Sequence, residues 1–300
     1  MKILITGAFG FVGSNLSAYL VGKGYELWAL DVEGALTESQ RAQSAYKRTF
    51  DWQQLEEIPW GEVYAVVHLA GKAHDTKKTS DPQSYFDINT GLTQKVLEVF
   101  SHKGAKAQSE EKKFILFSSV KAVADSVDGV LTEEATPNPK TPYGQSKLAA
   151  EKLLQPRSGC NGEGERESGC KGEGDDSGSG TTNELMNSCT NELLCYALRP
   201  CMIHGPGNKG NLNLLYNIVR KGIPWPLGAF ENQRSFASIE NVCAVVDGLL
   251  SKDVVSGAYQ VADDDALSTN DLIGMIAESQ GRKARIWSLS KGIISFVLPR

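Results

Sequence analysis

Three glycines close to the start constrain this chain more than any other feature. Residues 2–6 form a short apolar run, and the stretch TGAFGFVG then places Gly7, Gly10 and Gly13 three residues apart. A helical pattern follows to about Val21, Gly22 and Gly24 break it, and a second apolar run over 27–30 closes on Asp31, 18 residues after Gly13. The order is strand, glycine-rich turn, helix, strand, acid. In such a unit one glycine permits a tight turn, a second lets a pyrophosphate reach backbone N–H groups, and a third lets the helix pack closely on the strand. A lone glycine triplet is weak evidence. With its flanking strands, helix and acid, this one reads as a dinucleotide-binding turn. Asp31 is placed to accept hydrogen bonds from the adenosine ribose hydroxyls, which favours NAD over NADP.

The same alternation continues along the chain. Residues 46–50 form a short strand ending at Asp51, and 63–71 are a continuous β-branched run of the kind buried on both faces of a parallel sheet. Asp81 and Pro82 open a helix with apolar positions at Phe86, Leu92, Val96, Leu97 and Phe100. Residues 113–120 are the next strand, Thr141 and Pro142 open another helix with Pro142 at a tolerated first-turn position, and 193–200 are a further strand. This pattern predicts an α/β fold with a Rossmann-type doubly wound parallel sheet over 1–200. Residues 157–192 interrupt it. They are rich in Gly, Ser, Glu and Asp, contain the repeats SGCNGEGE and SGCKGEGD, and read as a flexible insertion.

Residues 201–300 are expected to form a smaller C-terminal substrate-binding lobe at the carboxyl edge of the sheet. A loop over 205–211 leads to a helix over 212–220, with further helices near 241–250 and 269–278 and short strands at 258–261 and 284–286. The chain stops at Arg300 directly after the apolar run 293–298, which reads as a lobe truncated at its C-terminus.

Bulk properties narrow the function classes. A composition of 41% hydrophobic and 22% charged residues is that of an ordinary globular protein. A net charge of −5 provides no general attraction to nucleic acid or anionic lipid, and no apolar run approaches the roughly 18 residues of a membrane span. The six cysteines include no C-x-x-C pair, and the four histidines (His68, His74, His102, His204) sit near no matching ligand set. We therefore expect no metal, a reducing cytoplasmic location, and neither nucleic-acid nor membrane partners.

The second strong signal is YGQSK, which sets Tyr143 and Lys147 four residues apart on one helix face. A tyrosine titrates near 10 in water, too high for a base at neutral pH. A neighbouring lysine ammonium favours the phenolate, and the positive nicotinamide of an oxidised cofactor pushes the same way. The pair follows a strand ending in Ser118 and Ser119, either of which could offer a hydroxyl to the same substrate oxygen. His68 is expected to be a strand-end residue rather than a ligand or acid, His204 to be structural, and Lys121 to be solvated rather than bound to a substrate phosphate.

Taken together, these residues make the chain resemble the extended short-chain dehydrogenase/reductase family, in its nucleotide-sugar epimerase, dehydratase and reductase branch. The landmarks are TGAFGFVG (6–13), Asp31, HLAG (68–71), Asn89, FSSV (117–120), YGQSK (143–147), LRP with HGPG (198–207) and QRSF (233–236). The resemblance covers nearly the whole chain outside the insertion. It implies a catalytic set of Ser119, Tyr143 and Lys147. It implies cofactor contacts from Gly7, Gly10, Phe11, Val12, Gly13, Asp31, Leu69, Ala70, Gly71, Asn89, Tyr143 and Lys147. Ser119, Asn211 and Arg234 would meet the nucleotide-sugar substrate, with Arg234 suited to the diphosphate.

The expected activity is that of an NAD-dependent epimerase acting on a UDP-hexose or its N-acetyl form through a transient 4-keto sugar, in a homodimer. Arg199 is followed here by Pro200, Cys201 and Met202, where galactose epimerases of the family carry an aromatic and then an asparagine. That departure keeps a second activity in view, reduction of a UDP-4-keto-6-deoxy-sugar. A third reading is a dinucleotide-binding protein without catalysis.

Overall fold

The computed structural model describes residues 1–34, 44–73, 81–104, 111–154, 193–208, 211–230 and 232–288. The insertion over 157–192 and the apolar run 293–298 lie outside the described residues. In chain order the strands are β1 (Lys2–Thr6), β2 (Glu26–Asp31), β3 (Arg48–Asp51), β4 (Ala65–His68), β5 (Lys112–Phe117), β6 (Leu193–Pro200), β7 (Met202–His204), β8 (Arg234–Ser238), β9 (Gly257–Val261) and β10 (Ala266–Leu267). The helices are α1 (Phe11–Val21), α2 (Gln83–Tyr85), α3 (Gly91–Val99), α4 (Pro142–Lys152), α5 (Asn211–Arg220), α6 (Ile239–Ser251) and α7 (Thr269–Ser279).

Seven strands form the main sheet in the order β3-β2-β1-β4-β5-β6-β9, and every neighbouring pair is parallel. The order reverses between β1 and β4, so the crevice at their carboxyl ends is where such a sheet receives a ligand. Both faces are covered, as the continuous apolar runs require. Ile3, Ile5, Leu27, Ala29, Val67 and Ile115 point to one face, where Leu16 and Leu20 of α1 and Val242, Val246 and Leu249 of α6 close over them. The intervening Leu4, Trp28, Leu30, Val66, Phe114 and Leu116 point to the other, under Val96, Phe100, Ala150 and Trp60. Each large side chain buried in this way contributes about 1.5–3 kcal/mol of transfer free energy.

Four expectations need correction. The strand over 258–261 and the helix over 241–250, both assigned to the lobe, belong to the main sheet. β9 pairs along β6 from Tyr196↔Gly257 to Pro200↔Val261, and the apolar stripe of α6 completes the layer begun by α1. The lobe is what remains: a three-stranded sheet ordered β10-β8-β7, with α5 and α7 packed through Val219, Ile273 and Ala277. The strand expected over 284–286 reduces to a single bridge between Trp225 and Ile286. The helix opened by Asp81 and Pro82 also differs, because the π turn Phe86–Thr90 separates α2 from α3.

One buried charge ties the layers together. Lys113 on β5 is almost fully buried, and its Nζ donates to the carbonyls of Leu249 at 2.8 Å, Leu250 at 3.3 Å and Lys252 at 2.8 Å. These are carbonyls that the end of a helix leaves without intrahelical donors, so the ammonium acts as the C-terminal cap of α6. Hydrogen bonds to a charged group are worth about 1.5–3 kcal/mol. Lys113→Met is expected to lower the unfolding free energy by about 2 kcal/mol, read from urea denaturation. An unchanged midpoint would show that the cap contributes nothing.

Candidate active site

The glycine turn is built on contacts that exclude a side chain. Gly7 has φ +63°, donates its N–H to the Leu30 carbonyl at 2.9 Å, and would place a Cβ only 2.8 Å from the Ala70 nitrogen. A Cβ on Gly13 would sit 2.4 Å from the Ala8 carbonyl oxygen. Gly10 donates to the Gly7 carbonyl at 3.1 Å and stands at the N-cap of α1, where no side chain caps the helix. The first amides of α1, at Phe11, Val12 and Gly13, therefore form an N-terminus of the kind that receives a phosphate. Asp31 braces the loop: its carboxylate accepts from the N–H of Phe9 at 2.9 Å and of Val32 at 2.8 Å. Tyr46, which the motif does not reveal, adds a second brace, donating from its phenol to the carbonyls of Ala8 at 3.0 Å and Gly13 at 3.2 Å.

Across the crevice, Leu69, Ala70 and Gly71 leave the end of β4. The N–H of Ala70 donates to the Thr6 hydroxyl at 3.1 Å. Asn89, buried in the π turn, accepts from the N–H of Lys72 at 2.8 Å and donates to the Ser146 hydroxyl at 2.9 Å. A Cβ on Gly71 would lie 2.8 Å from Asn89 Oδ1 and 3.2 Å from Lys147 Nζ. Gly71, Asn89 and Lys147 are thus brought together, with Ser146 as an intermediary that sequence reasoning missed.

The start of α4 sets Tyr143. Thr141 caps the helix by accepting from the N–H of Gly144 at 3.2 Å, and Pro142 occupies the first turn. A Cβ on Gly144 would fall 2.3 Å from the Lys121 carbonyl oxygen, so only glycine lets the helix approach the turn Val120–Ala122 that closely. That approach delivers the Tyr143 phenol to a hydrogen bond with Ser119. The neighbouring serine faces elsewhere: Ser118 donates to the buried carboxylate of Glu151. Geometry separates the two hydroxyls that sequence alone left side by side.

The electrostatics differ from the expectation that Lys147 lowers the tyrosine pKa. Burial raises the Tyr143 phenol above its ordinary value, the Ser119 hydrogen bond opposes this, and the nearby Tyr85 adds to the rise. Tyr85 meets the Tyr143 ring edge-on at 6.1 Å. Lys147 is itself buried, donates from Nζ to the Phe117 carbonyl at 2.8 Å, and is pulled down to about 8 by loss of water, with Glu151 acting in the opposite direction. Desolvation, which spacing along a helix cannot report, is the largest influence on both groups.

Glu151 lies one turn beyond Lys147 on α4 and is gripped by Arg199 of β6, Nε to Oε1 at 3.0 Å and a terminal nitrogen to Oε2 at 2.7 Å. The only sequence signal for this pair is an acid four residues after Lys147 on the same helix face. In the lobe, Arg234 opens β8 with an exposed side chain, and Asn211 begins α5 with a side chain outside the described residues. His204 Nε2 lies 3.4 Å from an Asp263 oxygen, and Lys121 Nζ lies 3.8 Å from one on Asp125 at the solvent edge. Among the described residues no three His, Cys, Asp or Glu side chains are placed to hold a metal, and Cys201 and Cys243 are free thiols. No helix among them is long and apolar enough to cross a membrane.

Residues 3–161 match the family described as the NAD dependent epimerase/dehydratase family. The chain is 27% identical to a UDP-glucose 4-epimerase of Vibrio cholerae over 92% of its own length and 75% of the relative's. It is 25% identical to an N-acetyl-alpha-D-glucosaminyl-diphospho-ditrans,octacis-undecaprenol 4-epimerase of Escherichia coli O157:H7 over 94% of its length and 73% of the relative's. Other curated relatives are matched over 46% of their length. Among solved structures, a UDP-N-acetylglucosamine 4-epimerase from Bacillus cereus superposes with a TM-score of 0.70 at 20% identity, covering 96% of this chain and 87% of that one, which shows the shared fold.

His68 illustrates how dry this site is. Its Nδ1 lies 2.8 Å from the Thr6 hydroxyl, and burial, reinforced by the Lys147 ammonium, pulls the ring down to about 3. An unfolded chain takes up the proton near 6.5, so the folded state binds fewer protons below that pH. The stability contributed by the neutral ring is complete above about pH 6.5 and is lost as pH falls toward 3, at up to about 1.4 kcal/mol per pH unit. Wild type should therefore lose stability more steeply than His68→Asn between about pH 6 and pH 4, measured by urea denaturation. Parallel curves would show that the histidine titrates normally in the folded protein.

Proposed function

Since the chain belongs to the NAD dependent epimerase/dehydratase family, we propose that it is an NAD-dependent nucleotide-sugar 4-epimerase acting on a UDP-hexose or a UDP-N-acetylhexosamine. The observation that carries this reading is the Ser119–Tyr143 hydrogen bond beside the buried Lys147 ammonium, at the mouth of a cradle closed to side chains at Gly7, Gly13 and Gly71. The cradle fits a dinucleotide: its glycines leave room for close backbone approach, and the N-terminus of α1 offers amides to a pyrophosphate. Gly7, Gly10, Phe11, Val12 and Gly13 would hold the pyrophosphate. Asp31 would take the adenosine ribose, Leu69, Ala70, Gly71 and Asn89 the inner wall, and Tyr143 and Lys147 the nicotinamide ribose. The 4-epimerase names of the two relatives support the substrate class.

Bound NAD would supply a hydride acceptor and donor for carbon 4 of the sugar and a positive ring charge beside the phenol. The protein's own residues move the proton. Tyr143, held neutral at rest by burial, becomes competent as a base only where positive charge surrounds it, and the buried Lys147 ammonium would add to that charge. Its phenolate takes the 4-hydroxyl proton as the sugar becomes a ketone, then returns it after the keto sugar has turned over. Ser119 bonds the same oxygen and steers the transfer. Asn211 and Arg234 would bind the nucleotide diphosphate, with guanidinium geometry suited to phosphate oxygens.

Residues 1–200, completed by α6 and β9, serve as the cofactor unit, and the rest of 201–300 as the substrate lobe. The protein would act as a cytoplasmic homodimer formed through helices flanking the sheet, a state that sedimentation would check. Incubation with UDP-glucose, UDP-galactose and their N-acetyl forms should interconvert 4-epimers without net change in cofactor. Stoichiometric loss of NAD(P)H on a UDP-4-keto-6-deoxy-sugar, with no interconversion, would establish the reductase instead. Tyr143→Phe should lower kcat by about 10²–10⁴-fold in a protein that still binds NAD through the glycine cradle and Lys147. Full turnover in that variant would remove Tyr143 from the chemistry.

A further inference from the structure

One turn further along the Tyr143–Lys147 face, α4 carries an ionic group that the reaction outlined above does not use. The Glu151 and Arg199 side chains are only 5% and 8% exposed. Arg199 grips both carboxylate oxygens, and the Ser118 hydroxyl donates to Oε1. Next to it, Lys147 Nζ donates to the carbonyl of Phe117. The inner face of α4 is thus fastened at Phe117 and Ser118, the two residues that precede Ser119, and to β6 at Arg199. A buried ion pair of this kind is a poor source of stability, because taking both charges out of water offsets much of their attraction and a well-packed apolar pair would serve as well. Its place one turn behind Lys147 suggests a role in the site.

Resting on the function proposed above, we infer that Glu151 is a positioning residue: its carboxylate keeps the Lys147 ammonium charged and, through Ser118, sets the end of β5 so that Ser119 meets Tyr143. The groups around Lys147 support the electrostatic part. From β4 it faces His68, which burial keeps neutral, and from the π turn it faces the uncharged Asn89. Tyr143 on its own helix is a buried phenol whose pKa is raised, and the ring of Tyr85 of α2 meets it edge-on. Lys121 and Asp125, beyond the start of α4, pair with each other. Arg199 faces Glu151 from β6. Glu151 is the carboxylate that works to raise Lys147 against the burial that pulls it down to about 8.

The sign follows directly. Without the Glu151 charge, burial acts alone and Lys147 gives up its proton at a lower pH. The charge that favours the Tyr143 phenolate then disappears nearer neutrality, and the alkaline fall of kcat moves to lower pH.

The test reads Lys147 directly, through the ¹³Cε shift of lysine-labelled protein without added substrate, with its resonance assigned by Lys147→Arg. Glu151→Gln should lower its proton affinity about tenfold and shift the alkaline limb of kcat by the same factor. Because that variant leaves Arg199 buried without its partner, Glu151→Gln/Arg199→Met, which removes both charges, should shift the resonance in the same direction in a folded protein. Glu151→Asp should restore the midpoint. Ser118→Ala, which keeps the charge and cuts the link to β5, should leave the midpoint in place while lowering kcat several-fold at unchanged KM. A Lys147 midpoint that is the same in wild type, Glu151→Gln and the double variant would overturn the inference. Failure of the wild type to turn over any nucleotide sugar would instead refute the proposed function, and the titration would still decide the part played by Glu151.

Discussion

Backbone meets backbone at three points around the crevice, and the arrangement of the site depends on those contacts. The turn after β1 touches the turn after β4 where Gly7 faces Ala70, α1 presses on its own approach where Gly13 faces Ala8, and α4 presses on the turn after β5 where Gly144 faces Lys121. At each, a single methyl group would fall within 2.8 Å of a main-chain atom. Side chains can swing aside, but main-chain atoms in these turns are held by their own hydrogen bonds. The strand ends, the α1 amides and the Tyr143 phenol are therefore located by elements that cannot separate without losing the crevice.

The second organising fact is loss of water. His68, Lys113, Lys147, Glu151 and Arg199 are polar or charged and nearly fully buried. Each is answered differently. Lys113 finds helix-end carbonyls, Glu151 and Arg199 find each other, Lys147 finds the Phe117 carbonyl, and His68 gives up its charge. In a medium this dry a single charge acts strongly on its neighbours, which makes proton transfer by a phenol tunable. The same dryness reverses the simple expectation for Tyr143, whose burial is the largest influence on its phenol.

What the sequence reveals follows the range of the interactions. The glycine turn, Asp31, and the Tyr143–Lys147 pair are patterns within a few residues or one strand–helix unit, so they are legible without a structure. Asp31 does more than the motif implies, since it binds the amides of Phe9 and Val32. The assignment of β9 to the lobe failed because its partner in the sheet, β6, lies 61 residues earlier at Tyr196↔Gly257, beyond any local pattern. The choice between Ser118 and Ser119, and the grip of Arg199 on Glu151, likewise rest on contacts between distant segments. Spacing alone could not supply them.

The return of the chain to β9 has a consequence for the order in which the molecule is made. Synthesis runs through β6, then through most of the lobe, and only afterwards reaches the strand that covers the β6 edge. Until residue 257 has emerged, a chain that has already laid down six strands of the main sheet presents Leu193–Pro200 as an open, largely apolar edge, and until residue 251 the face beside it also lacks a complete α6. Open edges of that kind invite pairing with other chains. The vulnerable period of this protein is therefore the interval between β6 and β9, and the part of the chain that lies between them sets how long that interval lasts.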